Sequence, residues 1–222
     1  MVSIILITHN YGVYIKSCLN SILSNNQSLI GEILIIDDSS TDDTFLKIEN
    51  YLSNSKIKYF LVNFKSLSKS YNFGIRKSKF DFISKIDADD ILEENFLEDY
   101  YNELLNNNYD LVYGNLKIVD DQLKLIKIKY QTNELIESKF NYPVGSGTIY
   151  NKKIWKKIGG FDERLKYQDD YDFWLKINKI QNIRLGSINK SAYKYRMHNQ
   201  NMSRSVFKKN LSKIFVFVKN LI

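Results

Sequence analysis

Four aspartates carry the clearest chemistry in this 222-residue chain. Asp87, Asp89 and Asp90 fall in Ser84-Lys85-Ile86-Asp87-Ala88-Asp89-Asp90, and Asp170 follows later in Asp169-Asp170-Tyr171-Asp172. An apolar, β-prone run, Phe80 to Ile86, leads straight into the first cluster. A strand ending there would deliver several carboxylates to one spot at a sheet edge. Such crowding is costly unless a cation neutralises it. Hard oxygen ligands suit Mg²⁺ or Mn²⁺, which usually also hold substrate phosphates. The pattern therefore points to a metal-assisted enzyme acting on a phosphorylated donor. The ordinary alternative is a solvated acidic loop, with Asp90 capping a helix that starts near Glu93.

Other polar groups also follow apolar runs. Asp37-Asp38-Ser39-Ser40-Thr41-Asp42 closes one. There a carboxylate could accept from a nucleobase N–H or a ribose hydroxyl, while Ser39 or Ser40 caps the next helix. Thr8-His9-Asn10-Tyr11 closes the first run. Tyr11 could stack on a base with the Thr8 backbone at its edge, and His9 reads as turn packing. In Asp169–Lys176 three acids suit the positive end of a helix dipole, and a carboxylate facing a cleft there suits a general base. His198, beside Arg196, is either structural or within reach of a metal or diphosphate.

These groups need elements to position them. Val2–Ile7, Glu32–Ile36, Lys58–Val62, Phe80–Ile86 and Leu111–Tyr113 read as strands. Tyr11–Leu23, Thr41–Leu52, Ser68–Lys77 and Glu93–Leu105 carry apolar residues at helical spacing. Ser40 or Thr41 is the expected N-cap of the second helix. Repeated β–α units with short connections predict a mostly parallel, Rossmann-like sheet with helices on both faces. Ligands in such sheets bind beyond the carboxyl ends of the strands, where these polar signatures converge. Beyond residue 115 the pattern is less regular. Leu123–Tyr130 alternates as a half-exposed strand, residues 141–147 read as a loop, and Asn151–Ile158 and Asp169–Ile180 as helices. Val206–Ile222 places Phe207, Leu211, Ile214, Phe215, Val218 and Leu221 on one helical face, with four lysines elsewhere.

Length and composition fit one large domain, or one domain with a small appendage. Apolar residues make up 44% of the chain, and no stretch reaches transmembrane length. Met1–Ile7 is too short for a signal peptide and reads as a buried strand. Cys18 is alone, which precludes an internal disulfide and makes a cytoplasmic location the default. The net charge of +7 is compatible with nucleic acid, an anionic membrane or an acidic substrate, or with a plain lysine-rich surface. No G-x-G-x-x-G follows the first strand, which disfavours a dinucleotide-dependent dehydrogenase.

Taken in order, the motifs resemble the family 2 glycosyltransferases with the GT-A fold. The resemblance runs from Val2–Tyr11 and Ile35–Asp42 through Asn72-Phe73-Gly74-Ile75 and Ile86–Asp90. It continues in Gly159-Gly160-Phe161-Asp162-Glu163, Asp169–Lys176 and Tyr195-Arg196-Met197-His198. It implies one GT-A catalytic domain over 1–203, with a nucleotide-sugar half (1–115), a smaller acceptor-side half (116–203) and a C-terminal amphipathic helix (204–222). The implied reaction is inverting transfer of a sugar from a nucleotide-diphospho-sugar, most often UDP-linked, to a hydroxyl of a saccharide or lipid-linked acceptor. Surface polysaccharide biosynthesis is the family-level setting. By the same resemblance Thr8, Asn10, Tyr11, Asp38, Lys69, Asp87 and Ala88 contact the nucleotide, with Asp87 at the ribose or a metal-bound water. Asp89 and His198 hold Mg²⁺ or Mn²⁺, and Asp170, or Asp169, is the base. No nucleic acid partner is implied; peripheral membrane association through the C-terminal helix, or a homodimer, is open.

Two departures stand out. Members often carry Arg just before the Asn-x-Gly, where this chain has Tyr71, so Lys69 or Arg76 is the expected substitute charge. The usual Glu-Asp pair is Asp169-Asp170 here. Two rivals lie outside this reading. A metal-dependent nucleotidyltransferase would use a glycine- and basic-rich first loop, which Thr8–Gly12 does not resemble. A non-catalytic sugar- or membrane-binding module would have little use for Asp89, Asp170 and His198.

Overall fold

The structure, a computed structural model, describes residues 1–131, 145–199, 201, 216, 217, 219 and 220. Its N-terminal half follows the sequence pattern closely. Strand β1 (Val2–Thr8) leads to α1 (Gly12–Leu23), and β2 (Ile30–Asp38) to α2 (Thr44–Ile48) with a 3₁₀ turn over Glu49–Ser53. Then come β3 (Ile57–Val62), α3 (Leu67–Lys77), β4 (Phe82–Asp87), the two-residue β5 (Ile91–Leu92) and α4 (Phe96–Asn106). Strands β6 (Leu111–Val119) and β7 (Leu125–Lys129), then β8 (Ile149–Asn151), α5 (Lys152–Lys157), α6 (Asp169–Ile177) and β9 (Leu185–Arg196) complete the described elements.

One sheet joins all nine strands in the order β3-β2-β1-β4-β8-β6-β9-β5, with β7 paired to β6. The β3-β2-β1-β4 block is parallel throughout. Register places Thr8 beside Asp37, and Ile7 beside Asp87. Short β8 runs antiparallel to both β4 and β6, and β9 pairs parallel with β6. Strand β6 spans residue 115, where its register with β9 shifts on both sides of Asn115 before Leu116 to Val119 resume pairing.

Alternation along β1 splits the core in two. Ile4 and Leu6 pack with Ile15 and Leu19 of α1 and with Phe96 and Tyr100 of α4. Ile5 and Ile7 face the other way, toward Tyr71 and Ile75 of α3 and Phe173 and Trp174 of α6. A central parallel strand buried on both faces needs this continuous apolar run. A Cβ at Gly74 would lie 2.6 Å from Ile5 Cγ2, so glycine is what lets α3 sit this close to the sheet.

Two sequence expectations need correction. The second helix does not start at Thr41, and neither Ser40 nor Thr41 caps it. The Thr41 and Asp42 amides donate to Asn10 Oδ1 (2.7 and 3.3 Å), which holds them out of the helix until Thr44. Asp90 caps no helix either: it is 1% exposed, and its Oδ1 accepts from the Arg196 amide at 3.2 Å.

Of the C-terminal helix expected over 204–222, only four residues are described. Val216 is fully buried against Leu165 and Tyr171, with Phe217 beside them. Lys219 Nζ donates to Asp172 Oδ1 at 2.9 Å and also pairs with Asp162. These positions pack on α6 and the segment before it; the rest of 204–222 lies outside the described residues, as do residues 141–144 of the expected loop. No helix among the described residues is long and apolar enough to cross a membrane.

Candidate active site

The site is built at the carboxyl edge of β1, β2 and β4. Asn10, in left-handed backbone (φ 57°), turns the chain after β1. Its amide donates to Ser40 Oγ (2.8 Å), while its Oδ1 clamps residues 41 and 42. Asn10 therefore ties two of the expected nucleotide loops into one wall. Next to it opens a cleft of about 510 Å³, lined among others by Asn10, Tyr14, Thr41, Asp42, Asp121 and His198. Thr8 is buried, and its Oγ1 has no hydrogen-bond partner among the described residues. Tyr11 is half-buried, edge-on to the His198 ring at 5.8 Å. Burial, then Asp89 and Asp87, push its phenol well above the ordinary range.

Asp38, expected to contact the nucleotide, is surrounded by donors of the chain itself. Its carboxylate accepts from the amides of Phe64 (2.6 Å), Lys65 (2.9 Å) and Ser66 (3.0 Å) and from Ser70 Oγ (3.0 Å). It thus organises the β3–α3 loop and the start of α3. Lys69 lies exposed in the first turn of that helix, its amide donating to the Ser66 N-cap. Ala88 is fully buried, and its amide donates to the Ile7 carbonyl (3.1 Å).

Asp87 and Asp89 diverge from the end of β4. Asp87 accepts from the Tyr71 hydroxyl on one side and from Ser146 Oγ (3.0 Å) on the other. Asp89 Oδ2 lies 2.9 Å from His198 Nε2 and 3.4 Å from Asn201 Nδ2. Arg196 closes the connection: its Nε donates to the Asp89 carbonyl (3.0 Å), its Nη1 to the Asp121 carbonyl (3.0 Å), and its guanidinium lies 4.8 Å from the Tyr14 ring centroid. Arg196 is therefore a staple between β9 and the acidic turn.

The residues fit a divalent cation. Burial, then Asp87, raise the carboxyl pKa of Asp89; burial, then Asp89 and Asp87, raise that of Asp90 well above the usual range. A cation would relieve that repulsion. The Asp89 carboxylate and the His198 imidazole are donors that Mn²⁺ or Mg²⁺ accepts. No group of three metal-capable side chains occurs among the described residues, so water and diphosphate oxygens would fill the other positions.

The second acidic motif divides its labour. Gln168, in left-handed backbone (φ 65°), starts α6 and aims its first turn. Asp172 is fully buried and pairs with Lys176 (2.7 Å) and Lys219 (2.9 Å). Asp169 is 8% exposed with Oδ2 unpartnered among the described residues. Burial and the adjacent Asp170 push it up to about 7, against the pull of Lys85. Asp170 is the accessible member, and it forms an ion pair with Lys85.

Lys85 was not among the expected site residues, and neither was Ser146. A strand with period two puts Lys85 and Asp87 on one face of β4, and a lysine inside a buried strand is itself unusual. Those two facts were the available signal. The Lys85 ammonium lies 4.4 Å from the Tyr71 ring centroid and 5.1 Å from that of Phe161. The cation beside Tyr71 is thus Lys85, whereas Arg76 lies 3.6 Å from Glu163 and Lys69 is exposed. Asn72 joins two motifs that the sequence treats separately. Its Oδ1 accepts from the Phe161 amide (3.0 Å) and Trp155 Nε1 (2.9 Å), and its Nδ2 donates to the Phe161 carbonyl (2.9 Å).

Comparison with known proteins supplies the family. Residues 3–161 match the family described as Glycosyl transferase family 2. The chain belongs to that family. Two Escherichia coli relatives resemble this family 2 chain over most of their length. O-antigen biosynthesis glycosyltransferase WbnJ is 27% identical over 215 residues, 92% of this chain and 83% of WbnJ. UDP-Glc:alpha-D-GlcNAc-diphosphoundecaprenol beta-1,3-glucosyltransferase WfgD is 28% identical over 213 residues, 94% and 81%. The crystal structure of S. aureus TarS 1-349 in complex with UDP superposes with a TM-score of 0.75 at 19% identity, covering 99% of this chain and 65% of that one. That likeness shows the shared fold. Six other curated relatives are longer, and the chain spans between 30% and 60% of them.

Proposed function

We propose that this family 2 chain is an inverting glycosyltransferase that moves a sugar from a UDP-sugar to a hydroxyl of a saccharide or lipid-linked acceptor. One observation carries the reading: Lys85 and Asp87, two residues apart on β4, join the carboxylate pair of α6 to the acidic turn. A donor whose diphosphate lies at Asp89 and His198 would present its sugar toward Asp170. The nucleoside occupies the cleft beside Asn10, Tyr11 and Tyr14. Of the other expected contacts, Thr8 and Ala88 are buried, Asp38 acts by fixing residues 64–66, and Lys69 is exposed.

Asp89 and His198 would hold Mg²⁺ or Mn²⁺, which supplies Lewis-acid neutralisation of the departing diphosphate. Asp170 takes the proton from the acceptor hydroxyl as that oxygen attacks the anomeric carbon. Attack opposite the leaving group inverts configuration and requires no covalent sugar–enzyme intermediate. Lys85 holds Asp170 in place, and Asp169 is the alternative base. WfgD's name specifies a UDP-glucose donor and a lipid-diphosphate-linked acceptor, and WbnJ's an O-antigen pathway. Both support a role in bacterial surface polysaccharide synthesis.

The test is acceptor-dependent release of UDP across a panel of UDP-sugars with Mn²⁺ present. UDP release that requires both acceptor and an intact Asp170 is the expected outcome. Release of inorganic diphosphate from a nucleoside triphosphate and a sugar phosphate would instead identify a nucleotidyltransferase.

A further inference from the structure

Lys85 is 2% exposed at the end of β4, in a position that a strand buried on both faces gives to an apolar side chain. Its ammonium is enclosed. Asp170 Oδ1 meets it on the α6 side, the Tyr71 ring lies 4.4 Å away and the Phe161 ring 5.1 Å away. Phe161 is itself stacked on Phe173 of α6 at 4.8 Å. The Gly145 backbone closes the remaining side: a Cβ there would collide with Asp170 Oδ1 and lie 2.6 Å from Lys85 Cε. A buried ammonium is retained only where specific partners compensate its desolvation. Here the partners are the aromatic faces and the carboxylate expected to do the chemistry.

We propose that Lys85 is a positioning residue, whose enclosed ammonium fixes the Asp170 carboxylate and governs the Asp169–Asp170 pair. This rests on the reading of Asp170 as the base. The charged and titratable groups around the pair are few. Lys85 and Asp87 come from β4, Tyr71 from α3, Tyr150 from β8 and Tyr193 from β9. Lys85 is the one cation of this set, and it faces Asp87, Asp169 and Asp170. Burial and neighbouring carboxylates hold all three phenols above the ordinary range, so they stay neutral. The Lys85 ammonium pulls the Asp169 carboxyl down against burial and Asp170, while it is ion-paired to Asp170 itself. The aromatic walls fix where that ammonium sits. Asp170, the more exposed member of its pair, is thereby held at a defined place.

The test compares the wild-type chain with Lys85→Met, which keeps length and removes the charge. Carboxyl-¹³C NMR of aspartate-labelled protein reads the pair directly, without any substrate. The apparent pKa of the pair should rise by at least one unit in Lys85→Met. In turnover, the acid limb of the pH–rate profile should move up by the same amount. The kcat at pH 7 should fall at least tenfold, while the Kd for UDP stays within threefold of wild type. An unmoved carboxyl titration overturns the proposal. So does a moved titration with unchanged kcat and pH profile, and so does a tenfold loss of UDP affinity with an unmoved acid limb. Should Lys85→Met not fold, Lys85→Met/Asp169→Asn removes one charge of each sign. Its acid limb must then lie above that of Asp169→Asn alone, and equal limbs refute the role. A wild-type chain that transfers no sugar would refute the glycosyltransferase reading, while the NMR titration still decides whether Lys85 governs the pair.

Discussion

His198 Nε2 stands 2.9 Å from Asp89 Oδ2, although 109 residues separate the two in sequence. This contact brings the loop after β9 onto the acidic turn after β4, and Arg196 and Asn201 brace it. If the pair holds the cation, either half should matter to metal and diphosphate together. His198→Ala should weaken Mn²⁺ and UDP binding by about 10–100-fold, with uridine affinity near wild type. Asp89→Ala should cost roughly a hundredfold or more in turnover, as should a chelator. Calorimetry with UDP and with uridine makes the distinction, and equal losses for both would assign His198 to the nucleoside instead.

Asp170→Asn keeps the shape of the accessible carboxyl and removes its basicity. Transfer should fall by about 10²–10⁴-fold, with UDP affinity within a factor of a few. A dead Asp169→Asn beside an active Asp170→Asn would move the base by one residue.

Asp169 should make stability pH-dependent. In the folded chain it is pushed up to about 7, whereas an unfolded aspartate titrates near ~3.9. The folded state therefore retains a proton that the unfolded chain has lost across that interval. The resulting stability is fully present below about pH 4 and is lost as pH rises toward 7. Relative to wild type, Asp169→Asn should gain in Tm as pH is raised from 5 to 8 in metal-free buffer. A constant difference between the two proteins across that range would contradict the burial argument.

The parallel half of the fold was legible because each of its strands and helices announces its own period. Ile4, Leu6 and their alternates Ile5 and Ile7 require a strand buried on both faces, and Ile15, Leu19 and Ile22 require a helix. The acidic turn after β4 was legible for the same reason. What the pattern hid depends on pairing. The three-residue β8 is too short to carry a period, so its antiparallel insertion between β4 and β6 had no sequence signal. Leu111–Tyr113 was visible as a strand, but the extension to Val119 mixes Gly114, Asn115 and Lys117 and gains its order from β9. At the site, Lys85 and Tyr71 gain meaning only once α3 and α6 are packed over β4. Asp38 and Asn10 were expected to contact the nucleotide, and the amides they also bind lie 26 to 32 positions away, beyond any local pattern.

Asn72 should be a stability residue with catalytic consequences. Asn72→Ala leaves the Phe161 amide and Trp155 Nε1 without their acceptor, at a cost of about 2–4 kcal/mol. Urea unfolding measures it. A loss below about 0.5 kcal/mol would mean that the Gly160–Phe161 turn is held by other contacts.

The C-terminal anchor can be separated from any membrane role. Val216 is fully buried, so Val216→Asp should destabilise the chain by about 2 kcal/mol or more. Sedimentation with anionic liposomes, done in parallel, reads membrane association. Unchanged stability together with lost liposome binding would show that this segment serves a bilayer rather than the core.

The most direct test of the central claim is the stereochemistry of transfer. Purified full-length chain, Mn²⁺, an α-linked UDP-sugar and a saccharide or lipid-diphosphate-linked acceptor are incubated, and the anomeric ¹H coupling of the product is read by NMR. The account predicts a β-linked product, formed with one UDP per sugar and abolished in Asp170→Asn. An α-linked product, or transfer that survives Asp170→Asn and Asp169→Asn alike, would contradict it.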